Sequence, residues 1–194
     1  MPETQYIEEV HEDRFTAPGI LEMLQCYANT IDVESGRDDL SEPAGLRHWL
    51  LEHGLIGPRD RVTPADLKTG LELRRSIREL AYTNHGEPAA PEPLRVLDRI
   101  GAAADMRPKF HPGEPPVLEP QAKGVAGALG KLVAIAFASM SQGDWRRFKI
   151  CRSDDCAVVF YDYSKNQKKA WCSMKVCGNR TKVRRFRERE RAES

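Results

Sequence analysis

Cys151-Arg-Ser-Asp-Asp-Cys156 and, after fifteen further residues, Cys172-Ser-Met-Lys-Val-Cys177 are two cysteine pairs of equal spacing near the end of a 194-residue chain. Zinc favours four soft thiolates in a closed tetrahedron, and two short loops from separate stretches of chain can supply two ligands each without strain. With Cys151, Cys156, Cys172 and Cys177 all engaged, the pattern predicts one structural Zn2+ ion with no open position for catalysis. A disulfide framework does not suit five cysteines in a chain that can bury a core in a reducing compartment.

Outward from the cysteines, Ala157-Val158-Val159-Phe160-Tyr161 is β-branched and aromatic and reads as a strand. Asp162 to Asn166 supplies a turn, and Lys168 to Trp171 is expected to return as the second strand. Ser173 caps a helix through Met174, Val176, Val183 and Phe186. Five residues turn ~140° on a regular helix, so Cys172 must sit at the helix entrance rather than on the helix proper. The order is knuckle, β-hairpin and helix, treble-clef-like or ribbon-like. Metal binding supplies on the order of 10 kcal/mol in structural sites of this kind. Residues 148–187 are therefore expected to lose order without zinc, leaving the rest standing.

Helical periodicity organises what precedes. Thr16 is placed as N-cap of a helix with Ile20, Leu24, Tyr27 and Ile31 at helical spacing. Pro43 opens a second helix with Leu46, Trp49 and Leu50 on one side and Gly54 as its stop. Thr63-Pro64-Ala65-Asp66 puts a capping hydroxyl, a first-turn proline and an acidic residue ahead of Leu67, Leu71, Ile77 and Leu80. Pro91 and Pro93 begin a helix through Leu94, Leu97 and Ile100. Five prolines from Arg107 to Pro120 exclude helix, and Lys109-Phe110 and Val117-Leu118 flank a short hairpin. A last helix carries Val125, Leu129, Leu132, Ala136 and Met140, with Gly124, Gly127 and Gly130 permitting close contacts. The fold class is mainly α: a helical N-terminal domain over residues 1–142, an orthogonal bundle with a short β-hairpin, and a zinc module over residues 143–194.

Met1 to Arg14 is polar and acidic, and no run approaches a membrane span, so a cytoplasmic protein without a membrane partner is expected. His11, His48, His53, His85 and His111 are scattered, with neither His-x-x-x-His spacing nor a Gly-x-Ser-x-Gly turn nearby. Cys26, alone on an apolar helical face, reads as a small buried hydrophobe rather than a nucleophile. The expectation is a non-enzyme, in which a ligand pocket would lie near Asn29, Trp49 and His53.

The net charge of +1 conceals two opposed regions. Trp145 to Arg187 holds thirteen Lys or Arg against Asp154, Asp155 and Asp162, a balance of +10. Residues 188–194 contribute −1, so residues 1–144 carry −8. Arg180, Arg184, Arg187 and Arg191 recur at i, i+4, i+7 and i+11, a stripe of guanidinium groups with Lys182, Arg185 and Arg189 read as flanking it. Lys165, Lys168 and Lys169 add loop cations, and Asn166 and Asn179 polar contacts. This pattern predicts phosphate binding, with the helix fitting the major groove of DNA. RNA becomes the alternative if Phe160, Tyr161, Tyr163 and Trp171 are exposed for base stacking. A third reading docks the basic finger on an acidic protein surface, including that of its own body. Homodimerisation and a small-molecule effector are the roles open to the helical domain.

The string Trp171-Cys-Ser-Met-Lys-Val-Cys-Gly-Asn-Arg180, followed by Thr-Lys-Val-Arg-Arg-Phe-Arg187, resembles the CGNR zinc finger, named for Cys177-Gly178-Asn179-Arg180. Phe160-Tyr-Asp-Tyr-Ser-Lys-Asn166 is similar to that family's segment between the cysteine pairs. Ala28-Asn29-Thr30 and Leu46 to Leu55, with Trp49 and Gly54, resemble its usual partner, the helical ABATE domain. Here Gln25, Cys26 and Tyr27 replace a more uniformly apolar run. The resemblance implies a bacterial-type, stress-related transcription regulator whose finger binds DNA.

Overall fold

The computed structural model describes residues 15–113 and 115–192; the acidic start, His11 and Glu193 lie outside them. The body is built from α1 (Leu21–Ala28), α2 (Pro43–Glu52), α3 (Pro64–Thr83), α4 (Pro91–Ala103), a hairpin of β1 (Met106–Lys109) and β2 (Val117–Pro120), and α5 (Gly124–Gln142). A 3-10 turn (Asp144–Arg147) leads into β3 (Phe148–Ile150), which pairs antiparallel with β4 (Val159–Tyr161). The chain then passes a π-turn (Met174–Gly178) into α6 (Asn179–Ala192). The molecule is mainly helical, with two short two-stranded sheets.

Local signals account for most boundaries. Thr63 closes a capping box with Asp66, its hydroxyl accepting from the Asp66 amide and its own amide donating to the Asp66 carboxylate. Pro64 then opens the longest helix of the body, against which α1, α2, α4 and α5 all pack. The β1–β2 hairpin admits Pro108 and Pro120 because every strand of a two-stranded sheet is an edge. The first helix begins later than Thr16 would place it. Pro18 disfavours helical geometry at Ala17, Gly19 is left-handed (φ +56°), and Ile20 is the N-cap.

The main core joins Leu24, Tyr27, Leu46, Leu50, Leu73, Ile77, Leu129 and Leu132. Helix α5 is long and apolar enough to cross a membrane by composition, yet its buried face, from Val125 to Ala136, lies in this core. Gly130 lets it approach closely, since a Cβ there would lie 2.4 Å from that of Ala104. Cys26 is exposed, contrary to expectation: the buried side of α1 is Leu21, Leu24, Gln25, Tyr27 and Ala28, and Cys26 lies about 100° around the helix from Gln25, away from the rest.

The second hairpin differs from its predicted form. The partner of β4 is the upstream segment Phe148–Ile150, while Lys168 to Trp171 forms no strand and touches the knuckle through one backbone bond, Arg152 to Ala170 (2.9 Å). The β3–β4 connection therefore contains Cys151 and Cys156. Pairing continues one step further as the Cys151 amide donates to Val158 (2.8 Å). Lys and Ala are poor strand formers, and burial of Phe148 and Ile150 in the main core places the pairing strand upstream of the cysteines instead.

Candidate metal centre and nucleic-acid interface

Side chains alternate across a strand, so β3–β4 presents two faces to two different surroundings. Phe148, Ile150, Val159 and Tyr161 enter the main core together with Trp145. Phe160 belongs instead to a second cluster with Cys151, Cys172 and Cys177, lined by Phe15, Cys156, Val158, Trp171 and Val176. Strand parity puts Cys151 on the metal side of the sheet.

Cys156 arrives from the knuckle, Cys172 from just before the Ser173 cap, and Cys177 from the π-turn. The Ser173 hydroxyl accepts from the Val176 amide (3.3 Å), and the Gly178 amide donates to the Ser173 carbonyl five residues back (3.0 Å). This wider turn, with Cys172 outside the helix, lets two cysteines five apart converge. A Cβ on Gly178 would lie 2.5 Å from the Met174 sulfur, so the glycine makes room for that side chain.

All four sulfurs lie within 4.8 Å of one another, with Cys156–Cys172 at 3.7 Å and Cys172–Cys177 at 3.6 Å. A tetrahedron with metal–sulfur arms of ~2.3 Å has edges of ~3.8 Å, so the donor set fits zinc. Cys151, Cys172 and Cys177 are buried and Cys156 half-buried. Sulfur hydrogen bonding, first from Cys156, holds the Cys151 thiol far below its ordinary value, while its bond to Cys151 pushes Cys172 upward. A divalent cation resolves this competition by holding all four as thiolates.

A buried ion pair absent from the sequence reading braces the finger from below. Lys149, opposite Phe160 in the ladder, donates to Asp162 at 3.0 Å, and both side chains are essentially inaccessible. Lys149 also donates to the Gln167 carbonyl. Asp162 accepts from the Ser164 amide and hydroxyl and from the Lys169 amide. Burial raises its pKa, but these donors, with Ser164 foremost, outweigh burial and hold it below the usual carboxylate range. Asp162, expected as a turn former and a counter-charge, organises the 162–169 loop. The cue was a lone acid among cations.

The cations predicted to meet nucleic acid divide sharply. Arg180 pairs with Glu34 of the body (2.8 Å), and Arg184 with Asp154 (2.7 Å) and Asp155 (3.1 Å) of the knuckle. Lys182, Arg185, Arg187, Lys165 and Lys168 are exposed and make no ion pair among the described residues. Lys169 is half-buried, its ammonium 5.4 Å from the Phe15 ring centroid. Asn179 bonds the Lys175 carbonyl (3.0 Å), and Asn166 is exposed in the loop. Thr181 is the sole buried residue of α6, so the helix beyond it stands clear of both cores.

Among the described residues Asn29, Trp49 and His53, near which a pocket was expected, are taken up by hydrogen bonding and packing. Asn29 faces the hairpin, donating to the Val159 carbonyl (2.8 Å) and accepting from its amide (2.7 Å). Trp49 is buried with His53 stacked on it at 3.9 Å, filling the space between them. The departures at Gln25 and Tyr27 are structural as well. Gln25 ties Phe15 and Val159 to α1, and the Tyr27 hydroxyl donates to Gly70 (2.7 Å). A groove of ≈ 570 Å³ lies elsewhere, between α3 and the Ile31–Asp38 loop, and Asp38, Arg74, Arg78, Tyr82 and Ile150 line it.

A tetrathiolate cage clasping the root of a basic helix defines a zinc-finger protein, and residues 147–190 match the CGNR zinc finger. Residues 27–143 match ABATE, described as "Putative stress-induced transcription regulator", and the chain belongs to that family. The cage holds a single structural zinc ion. Comparison with curated proteins gives no match.

Proposed function

We propose that this protein is a non-enzymatic transcription regulator that binds duplex DNA through its zinc-rooted basic helix, with the body supplying the regulatory input. One observation carries the reading: α6 leaves the cage with Thr181 alone buried, and presents Lys182, Arg185, Arg187 and Arg189 exposed along its length. A helix of ~10–12 Å diameter enters the major groove, and unpaired guanidinium groups suit phosphate. RNA stacking finds little support. Phe160 and Tyr161 are buried, Trp171 is half-buried, and exposed Tyr163 spends its hydroxyl on the Thr16 carbonyl (2.7 Å).

The α3 groove supports an input by a small molecule, because it sets guanidinium groups beside Ile31, Leu71 and Tyr82 and borders the hairpin at Ile150. Matched duplex DNA, single-stranded DNA and RNA, titrated with the full chain over a salt series, test the nucleic-acid reading. Duplex is expected to bind tightest, with affinity falling steeply as salt rises. Tighter binding to RNA, or no binding to any of the three, defeats it.

A further inference from the structure

The cations of α6 form two rows. Arg180, Arg184, Arg187 and Arg191 make one; Lys182, Arg185 and Arg189, at i, i+3 and i+7, make the other. At ~100° per residue the two row centres lie roughly 160° apart. The second row does not flank the first, as the sequence reading had it, but occupies the opposite side of the helix.

The surroundings of the two rows differ in sign. The near half of the first row turns toward the molecule, where Glu34, Asp154 and Asp155 meet Arg180 and Arg184, while Arg187 and Arg191 further along are exposed. A phosphate approaching there would encounter three carboxylates ahead of two engaged guanidinium groups. Lys182, Arg185 and Arg189 are exposed and make no ion pair among the described residues. Beside them Phe186 is 54% exposed, and Val183, 49% exposed, lies between the two rows. Cations set around an exposed aromatic ring fit a DNA groove, where phosphates meet the charge and thymine methyl groups meet the apolar side chains.

Resting on the DNA-binding reading above, we propose that the Lys182–Arg185–Phe186–Arg189 face is the surface that contacts duplex DNA, while Arg180 and Arg184 are positioning residues. Their ion pairs set the angle at which α6 leaves the cage. The arginine stripe most conspicuous in the sequence thus fastens the helix, and the less conspicuous row reads.

Three zinc-loaded full-length variants test this on a short random-sequence duplex over a salt series, each with its metal content measured. Lys182→Gln/Arg185→Gln/Arg189→Gln is expected to weaken binding at least about tenfold and to flatten the salt dependence by ~0.9 per lost phosphate contact. Glu34→Gln/Asp154→Asn/Asp155→Asn keeps every cation but breaks the ion pairs that set the helix angle; its affinity is expected to fall, by no more than about threefold, with an unchanged salt slope. Arg180→Gln/Arg184→Gln is expected to keep its zinc and the wild-type slope. Tighter binding by about tenfold or more in the carboxylate variant would mean that the first row is a masked reading face, overturning the assignment. A flattened slope in the Arg180/Arg184 variant with zinc retained overturns it too, as does an unaltered slope in the first variant. Wild-type protein that binds no duplex at any salt defeats the DNA reading itself and this assignment with it.

Discussion

The two faces of β3–β4 show how one three-residue ladder serves two regions stabilised by different means. On one face Phe148, Ile150, Val159 and Tyr161 are held by apolar packing against the helices, which needs no metal. On the other, Phe160 and Cys151 belong to a cluster too small to persist by burial alone, where the thiolate–metal bonds supply the stability. The body's polar groups reinforce the first face. Asn29 and Gln25 grip Val159, the Arg78 guanidinium donates to the Ala28 and Ala157 carbonyls, Asn84 donates to those of Trp145 and Phe148, and His85 bonds that of Ile150. The expectation that all of residues 148–187 depends on zinc is thereby narrowed. The hairpin belongs to the body's core, and metal dependence falls on the knuckle, the cage and α6.

Zinc removal should separate the two faces most clearly. Loss of on the order of 10 kcal/mol of metal binding is expected to abolish amide protection in residues 151–158 and in α6, while Lys149 and Phe160, the hydrogen-bonded pair of the ladder, exchange as slowly as the body. Hydrogen exchange with and without a strong chelator reads this directly, and a hairpin that opens together with α6 would break the comparison. Next in size is the Lys149–Asp162 pair. Asp162→Asn leaves a buried ammonium without its counter-charge and should cost about 3–5 kcal/mol in chemical denaturation. A loss under about 1 kcal/mol would show that the loop redistributes its hydrogen bonds.

Asn29→Ala removes two hydrogen bonds to Val159 and leaves its buried amide unsatisfied, while its carbonyl keeps the bond from Gln25, an expected loss of about 1–2 kcal/mol. It should raise the exchange rate at Val159 while zinc content stays constant; loss of zinc instead would mean that the two faces are not separable. The smallest effect comes from acid. Hydrogen bonding from Arg74 holds the Asp38 carboxyl below its ordinary value. Its contribution is fully present above the unfolded carboxyl pKa of about 3.9 and disappears as pH falls through the lower folded value. Wild type and Asp38→Asn should therefore converge in stability on acidification, a trend that thermal melts from neutral to low pH would register.

Where a signal resides in neighbouring residues, it was legible. The capping box at Thr63 and Asp66, Pro43 and Pro91 as helix openers, the Ser173 cap and the four metal ligands all stand where their types and spacings place them. Signals that depend on contacts distant in sequence were not. Asn29 resembled a pocket residue because its partner, Val159, is 130 positions away. Lys149 is one cation among thirteen in the sequence, and only β3 carries it beneath the finger. The stripe from Arg180 to Arg191 looked uniformly available because Glu34 is 146 residues upstream.

Four cysteines in two pairs of equal spacing determine that there is a zinc cage, and a surplus of Lys and Arg determines that a basic helix issues from it. Ligand chemistry and helical periodicity operate over a few residues and are written into the chain directly. Which strand pairs with β4, which face of it meets the helices, and which cations are already neutralised were decided only by the tertiary structure. Burial and ion pairing depend on distance in space, and no spacing along the chain encodes that distance.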